Sequence, residues 1–400
     1  MTSLAKDIAI VGMSALYAKA SNLSTYWQNI LNKVDGIQEA PDHWARSYVD
    51  PESPLSNRIY NRKGGFLLDL AEFDPMEFGI MPNSVDGGEP EQFLALKLAR
   101  DALADAGYLH RPFNRKKAGI IIGRGVYLNR GNMNYMQHGL VIDQTLELLQ
   151  QICPYLPEAI WEKIDAGIRK SLPPFDAQTI AGLVPNIMTG RIANRLDLMG
   201  PNYIVDAACA ASLIVVDLAM QELLSGRCDM VVAGGVNVNL TPQCCMMFCT
   251  IGALSHGKIQ PFGKNAEGTL IGEGIGMLVL KRLADAERDQ DRIYAVIKGV
   301  GIASDGKSVG LLSPRLEGEI LALERAYAQA HVSPETIGLI EAHGTSIPLG
   351  DKTEIEALSH LFGDRQGKLP TCGIGAVKSM IGHCLPGSGM AGIIKTALAL

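Results

Sequence analysis

Apolar positions along the chain follow two periodicities that alternate. Short unbroken apolar runs, "DIAIVGM", "KKAGIIIG", "YIVDAA" and "DMVVAGGVNV", have the length and β-branched content of strands buried on both faces. Between them lie longer stretches with apolar residues at three- and four-residue spacing: "EQFLALKLARDALADAGYL", closed by Gly107, then "NIMTGRIANRLDL" and "SLIVVDLAMQELLSG". The alternation returns in the second part of the chain. There "GMLVLKRL", "YAVIKGVGIASDG", "IGLIEAH" and "TCGIGAV" read as strands, and "EGEILALERAYAQA", "DKTEIEALSHLF" and "GSGMAGIIKTALAL" as helices. Strands and helices in turn predict a mostly parallel sheet with both faces covered.

One stretch breaks the rhythm. Between Asn129 and Asp176 the pattern is helical only, "LVIDQTLELLQQI" and "PEAIWEKIDAGIRKSL", separated and ended by prolines, which predicts a helical insertion at about 129–176. The repeated alternation divides the chain into two similar halves, 1–255 with this insertion and 256–400.

Composition narrows the class. Hydrophobic residues make up 47% and charged residues 20% of the 400, a globular balance that supports a large core. A net charge of -6 provides no field for a polyanion, so nucleic acid is excluded as a partner. Eight cysteines with no CxxC pair predict free thiols in a reducing cytoplasm. "IAIVGMSALYAKA" ends like a signal-peptide cleavage site, but Asp7 directly before it and Gly12 within it mark a strand and its loop. No run reaches the ~20 apolar residues of a membrane span.

Candidate chemistry sits at three junctions where a strand ends and a helix begins: "VDAACAASL" with Cys209, "IEAHGTSIPLGD" with His343, and "AVKSMIGHCLPGSG" with Lys378 and His383. Carboxyl ends of parallel strands share one side of a sheet, so the three can meet in one crevice. Cys209 at a helix start would have its thiolate stabilised by the helix dipole without a neighbouring base, and small neighbours Ala208, Ala210 and Ala211 leave room for a substrate. Burial of an inert thiol competes with that reading. A zinc site would need short-spaced ligand pairs, which are missing. "GEGIG" precedes a strand, whereas a dinucleotide fingerprint follows one, so tight packing accounts for it and no cofactor site is expected. A Cys-His hydrolase is the remaining competitor, and it leaves the second histidine and Lys378 unused.

These three motifs, in this order and over the full chain, resemble the β-ketoacyl synthases of the thiolase-fold superfamily. "IGEGIGMLVLKRLADAERDQDRIYAVIKGVGIASDGK" is most similar to ketosynthase domains of type I iterative assembly lines that make polyketides, polyunsaturated fatty acids or glycolipids. The resemblance implies an α/β fold layered α/β/α/β/α and built from two similar halves. It implies an acyltransferase in which Cys209 accepts an acyl group as a thioester and a malonyl-type extender is decarboxylated. His343 and His383 would hydrogen-bond the extender's thioester carbonyl, and the carbanion would attack the acyl group.

By the same resemblance Lys378, Asp351 and Glu354 are the charged network that supports the site. Asp351 and Glu354 read equally well as an N-cap and a first-turn acid of "DKTEIEALSHLF". The domain would bind no cofactor or metal itself. Its substrates would ride on the phosphopantetheine of an acyl carrier protein, and it would form a homodimer. The alternatives are a noncatalytic docking or dimerisation module and a thioester hydrolase.

Three departures from the family pattern stand out. Ser346 and Ile347 replace a usual Gly-Thr, Pro386 enters a loop that is normally alanine-rich, and the chain ends at Leu400 within an apolar helix. Family members continue with strands and a Gly-Phe-Gly-Gly-Thr-Asn loop carrying a gating phenylalanine. The chain is therefore expected to be a piece of a longer synthase that lacks its C-terminal strands.

Overall fold

Strand β1 (Ile8–Tyr17) is buried along its whole length, as an apolar run with no polar face requires. The computed structural model describes residues 6–41, 48–53, 55–85, 87–125, 129–308, 310–363 and 372–400. After β1 come α1 (Leu23–Leu31), a short ladder of β2 (Gln38–Glu39) with β3 (Lys63–Gly64), α2 (Pro90–Asp105) and β4 (Ala118–Arg124). The chain then runs through α3 (Arg130–Met136), α4 (Ile142–Ile152), α5 (Glu158–Ser171), α6 (Ala177–Leu183) and α7 (Ile187–Leu196). Next are β5 (Asn202–Val205), α8 (Ala211–Leu224), β6 (Met230–Asn237), α9 (Pro242–Thr250), β7 (Gly274–Arg282) and α10 (Leu283–Arg288). The remainder forms β8 (Ala295–Ile297), α11 (Leu316–Ala330), β9 (Leu339–Glu341), α12 (Pro348–Phe362), β10 (Gly373–Gly375), α13 (Lys378–Ile381) and α14 (Ser388–Ala399).

Six strands make one sheet in the order β5-β4-β6-β7-β1-β8. The expectation of a mostly parallel sheet is corrected here. Only β4 with β5 and β4 with β6 are parallel, while β6–β7, β7–β1 and β1–β8 are antiparallel. Helices on both faces permit either direction, so the apolar pattern alone does not distinguish them. The sheet also runs on across residue 255, because β7 and β8 complete it.

Each central strand feeds both faces. Ile120 and Ile122 of β4 join the core under α2 and α7, whereas Ile121 joins the core under α8 and α14. In β1 the faces exchange partway: Ala9 and Val11 lie in the first core, yet Met13, Ala15 and Tyr17 lie in the second with Ile8 and Ile10. The register against β7 shifts between Ile10 and Gly12. One extra residue reverses the alternation that follows it.

Helix α14 touches β6 and β7 on one side and β9 on the other. Strand β9 pairs in parallel with β10, Leu339 opposite Gly373, and α11 packs on α12. The order of layers is thus helix, six-stranded sheet, helix, two-stranded sheet, helix. "YAVIKGVGIASDG", expected as one long strand, pairs only over Ala295–Ile297. Gly299 and Gly301 instead lie flush on α11, where a Cβ would stand 2.7 Å from the Ala326 carbonyl and 1.9 Å from that of Ala322. Thr371, in the expected strand "TCGIGAV", lies outside the described residues.

The insertion holds α3 in addition to the two expected helices. The Asn129 side chain accepts the Asn132 N–H at its head (2.7 Å), and the Glu89 carboxylate accepts that of Gly131. Burial raises the Glu89 carboxyl to about 7. Among the described residues no helix is long and apolar enough to cross a membrane.

Candidate active site

Strand β5 ends at Val205, and the chain turns through Asp206 and Ala207 into a single 3-10 turn, Ala208–Ala210, before α8. Ala208 sits there at φ 48, in the left-handed region that costs a non-glycine residue about 1 kcal/mol or more. The Asp206 side chain accepts the Ala208 N–H at 3.0 Å and holds the turn. Cys209 is thereby carried at the apex of a strained strand-to-helix elbow. The opposite wall comes close only because Gly235 has no side chain: a Cβ there would lie 2.6 Å from the Pro386 carbonyl oxygen and 2.7 Å from Ser212 Cβ.

The expected preparation of Cys209 by the helix dipole alone is corrected. Helix α8 begins two residues later, and burial pushes the Cys209 thiol above its ordinary value, opposed by the Lys378 ammonium and a backbone N–H. A histidine also stands beside it, with His383 Nε2 3.0 Å from Cys209 Sγ.

The state of His383 follows from its other nitrogen. The Leu385 backbone N–H, which can only donate, reaches Nδ1 at 3.3 Å, and the Ser388 hydroxyl lies 2.8 Å from the same atom. Nδ1 therefore accepts, and the ring proton sits on Nε2, facing the sulfur. Complete burial holds His383 far below the usual imidazole range, so the ring is neutral and its Nε2–H is a fixed donor. Leu385, at φ 45, turns the backbone to aim that amide, and Pro386 sits inside the same short turn.

His343 follows β9 and stands 5.5 Å from His383, centroid to centroid, ring edge to face. Its ring faces an open cavity and is reached by solvent there, yet protein packed around it and the Lys378 charge push it down to about 3. Its backbone is fixed by Glu354, whose carboxylate accepts the His343 N–H (2.6 Å) and the Gly344 N–H (2.8 Å).

Asp351 acts similarly one turn earlier, accepting from Phe262 N (2.6 Å) and Ser346 N (3.1 Å). Helix α12 starts at Pro348, so Asp351 is not the N-cap that "DKTE" suggested; it lies in the first turn and holds neighbouring loops. Burial raises both carboxyls, with the backbone donors opposing it. Ser346, where the family pattern has glycine, adopts φ 67. Its hydroxyl accepts the Gln260 N–H at 2.9 Å, a bond worth about 1 kcal/mol against the backbone cost.

Lys378 opens α13 and is buried. Burial lowers its pKa, while Glu341, Cys209 and Glu354 pull it back up. Glu341 is not singled out by any sequence motif. One of its oxygens accepts the Val377 N–H at 2.6 Å and the other meets Lys395 Nζ at 2.5 Å. A cavity of about 510 Å³ is lined by Cys209, His343, Lys378, Glu341, Glu354 and Ser388, and His383 reaches it through Cys209. All six side chains singled out from the sequence are thus in one neighbourhood, with Asp351 a step behind the wall. Ser388 and Glu341 were missed because their partners are set by folding, although "GHCLPGS" does put a hydroxyl within reach of a turn around His383.

A nucleophile with a neutral donor beside it and a buried ammonium near it can form a thioester and stabilise negative charge on a carbonyl oxygen. Among the described residues no group of three or more His, Cys, Asp or Glu is arranged to hold a metal ion.

Residues 5–286 match the family model of the β-ketoacyl synthase N-terminal domain, and residues 294–400 that of its C-terminal domain. A polyunsaturated fatty acid synthase from Thraustochytrium sp. is 35% identical over 402 residues, covering 98% of this chain and 14% of that protein. Polyketide synthase PksN of Bacillus subtilis is 35% identical over 405 residues, covering 99% of this chain and 7% of that protein. The chain thus spans a small part of the length of these relatives. A ketosynthase from module 6 of the bacillaene synthase of Bacillus subtilis superposes with a TM-score of 0.79 at 34% identity, over 98% of this chain and 61% of that one. A PfaC keto synthase–chain length factor superposes with a TM-score of 0.86 at 31% identity, over 98% and 42%.

Proposed function

This chain belongs to the β-ketoacyl synthase family, with the thiolase-like layering of its ketosynthases, and we propose that it catalyses decarboxylative carbon-carbon bond formation between two carrier-bound acyl groups. The observation that carries this is the His383 Nε2–H set 3.0 Å from Cys209 Sγ, with Nδ1 committed as an acceptor. Cys209 attacks an acyl thioester, its sulfur gains the acyl group, and the thiol proton leaves with the carrier's thiol. A malonyl-type thioester then loses carbon dioxide, and the enolate charge falls on an oxygen within reach of His343 and His383. The carbanion attacks the Cys209 thioester, expelling the thiolate, which takes up one proton to regenerate the thiol. Lys378, Asp351 and Glu354 position these groups. The carrier is an acyl carrier protein presenting phosphopantetheine, and a reducing cytoplasm suits eight unpaired thiols.

Incubation with malonyl-carrier protein and an acyl thioester is expected to release carbon dioxide and yield a β-ketoacyl carrier. Free acid as the sole product would instead mark a hydrolase, and neither product would mark a docking module.

The partner surface fits a second copy of this chain. Among the described residues strand β5 ends the sheet with an open edge, and Met199, three residues before it, is exposed. Sedimentation across a concentration series is expected to give a dimer, and a monomer at all concentrations would contradict it.

A further inference from the structure

A part-buried ion pair beside the site has no task in the reaction as described. Glu341 ends β9, two residues before His343, and Lys395 lies on α14, seven residues after Ser388. Their side chains are 9% and 17% exposed and meet at 2.5 Å. Such a pair stabilises little by itself, since desolvation offsets attraction. Its placement is what is informative.

Glu341 also accepts the Val377 N–H at 2.6 Å, immediately before Lys378. Lys395 Nζ lies 3.4 Å from where a Cβ would stand on Gly375, at the end of β10. Through two side chains, β9, β10, α13 and α14 are fixed together. Those four elements lead to His343, Lys378, His383 and Ser388.

We propose that Glu341 and Lys395 form a positioning pair for the catalytic centre, with Glu341 supplying the counter-charge of the Lys378 ammonium and Lys395 anchoring Glu341 to α14. The assignment of a reaction to that centre rests on the ketosynthase reading above. Charged and titratable groups face Lys378 from every side: Glu341 on β9, Glu354 and Asp351 on α12, Cys209 ahead of α8, His343 after β9, and His383 and Cys384 after α13. Glu341 is the carboxylate that acts most strongly on the ammonium.

The sign of the effect is fixed by charge. In Glu341→Gln the amide oxygen still accepts from Val377, but a negative charge is removed, which favours deprotonation of neighbouring groups. In Lys395→Met a positive charge is removed, which disfavours it.

The test is the rate of acetic anhydride acetylation at Lys378, read from the mass of its peptide between pH 6 and pH 10. Glu341→Gln is expected to move the midpoint down, and Lys395→Met up, each by about one unit. Lys395→Arg should superimpose on the unaltered protein. Decarboxylation of malonyl-carrier protein should fall about tenfold in kcat in Glu341→Gln with KM little changed, the signature of lost positioning. Midpoints that coincide, or that shift in the same direction in both variants, overturn the proposal. Should Glu341→Gln fail to melt cooperatively, the Lys395→Met and Lys395→Arg pair decides: a raised midpoint in the first alone supports it and equal midpoints overturn it. Failure of the ketosynthase reading looks different, because opposite midpoint shifts would then occur in a protein that releases no carbon dioxide.

Discussion

Cys209→Ala is expected to leave a folded protein that takes up no acyl group and forms no carbon-carbon bond. Removing a nucleophile, as opposed to a helper, costs on the order of 10⁴-fold or more in rate, so activity should fall to the detection floor. The alternative sulfurs do not substitute. Burial pushes the Cys244 thiol up to about 12 and raises Cys245 and Cys384 well above the ordinary thiol value, leaving them protonated at neutral pH. Cys209 also has a raised thiol, but it lines the cavity and has Lys378 nearby to oppose that rise. Intact-mass measurement after exposure to an acyl thioester should therefore show one adduct on the unaltered protein and none on the variant. A variant still acylated, or condensing at the original rate, would place the nucleophile elsewhere. The substitution removes one sulfur atom from a half-exposed elbow, so its thermal midpoint should stay within a few degrees.

Much of this was legible in the chain, for reasons that differ by element. Strands β4, β6 and β7 lie within two residues of their apolar runs because each is buried on both faces and has no polar position to blur it. The crevice forms between two sheets, β5 lying in the six-stranded one and β9 and β10 in the two-stranded one, and not along the one open sheet expected, but the strand-to-helix junctions that carry Cys209, His343 and Lys378 into it were legible. Strand direction was not, since a helix-covered strand has the same composition whichever way it runs. Nor was the exchange of faces inside β1, where the residue that slips the register is another apolar one. "YAVIKGVGIASDG" failed for a third reason: Gly299 and Gly301 are there for contact with α11, more than twenty residues away, and local pattern contains no trace of that contact. Glu341 belongs with these, because its importance comes from Val377 and Lys395, 36 and 54 residues distant.

His383→Ala should separate the two stages that Cys209 joins. Acylation of Cys209 requires the sulfur and an approach to it, so loading should persist. Decarboxylation requires a donor where enolate charge develops, and loss of one such donor costs ~3 kcal/mol, or on the order of a hundredfold. The expected result is an enzyme that still accumulates acyl-Cys209 but releases carbon dioxide about a hundredfold more slowly. His383→Gln keeps an N–H donor on a side chain of similar reach and should recover part of that loss. The pH profile supplies an independent check on the role. A histidine acting as a base must be neutral to work and would impose an acid limb near its own pKa. Here His383 is held far below the ordinary range and His343 at about 3, so both are neutral throughout pH 5 to 8. Single-turnover decarboxylation should consequently show no limb from either histidine in that window. An acid limb near pH 6.5 that disappears in His383→Gln would mean that the ring titrates there, and that Nε2 removes a proton from Cys209 instead of donating one to the substrate.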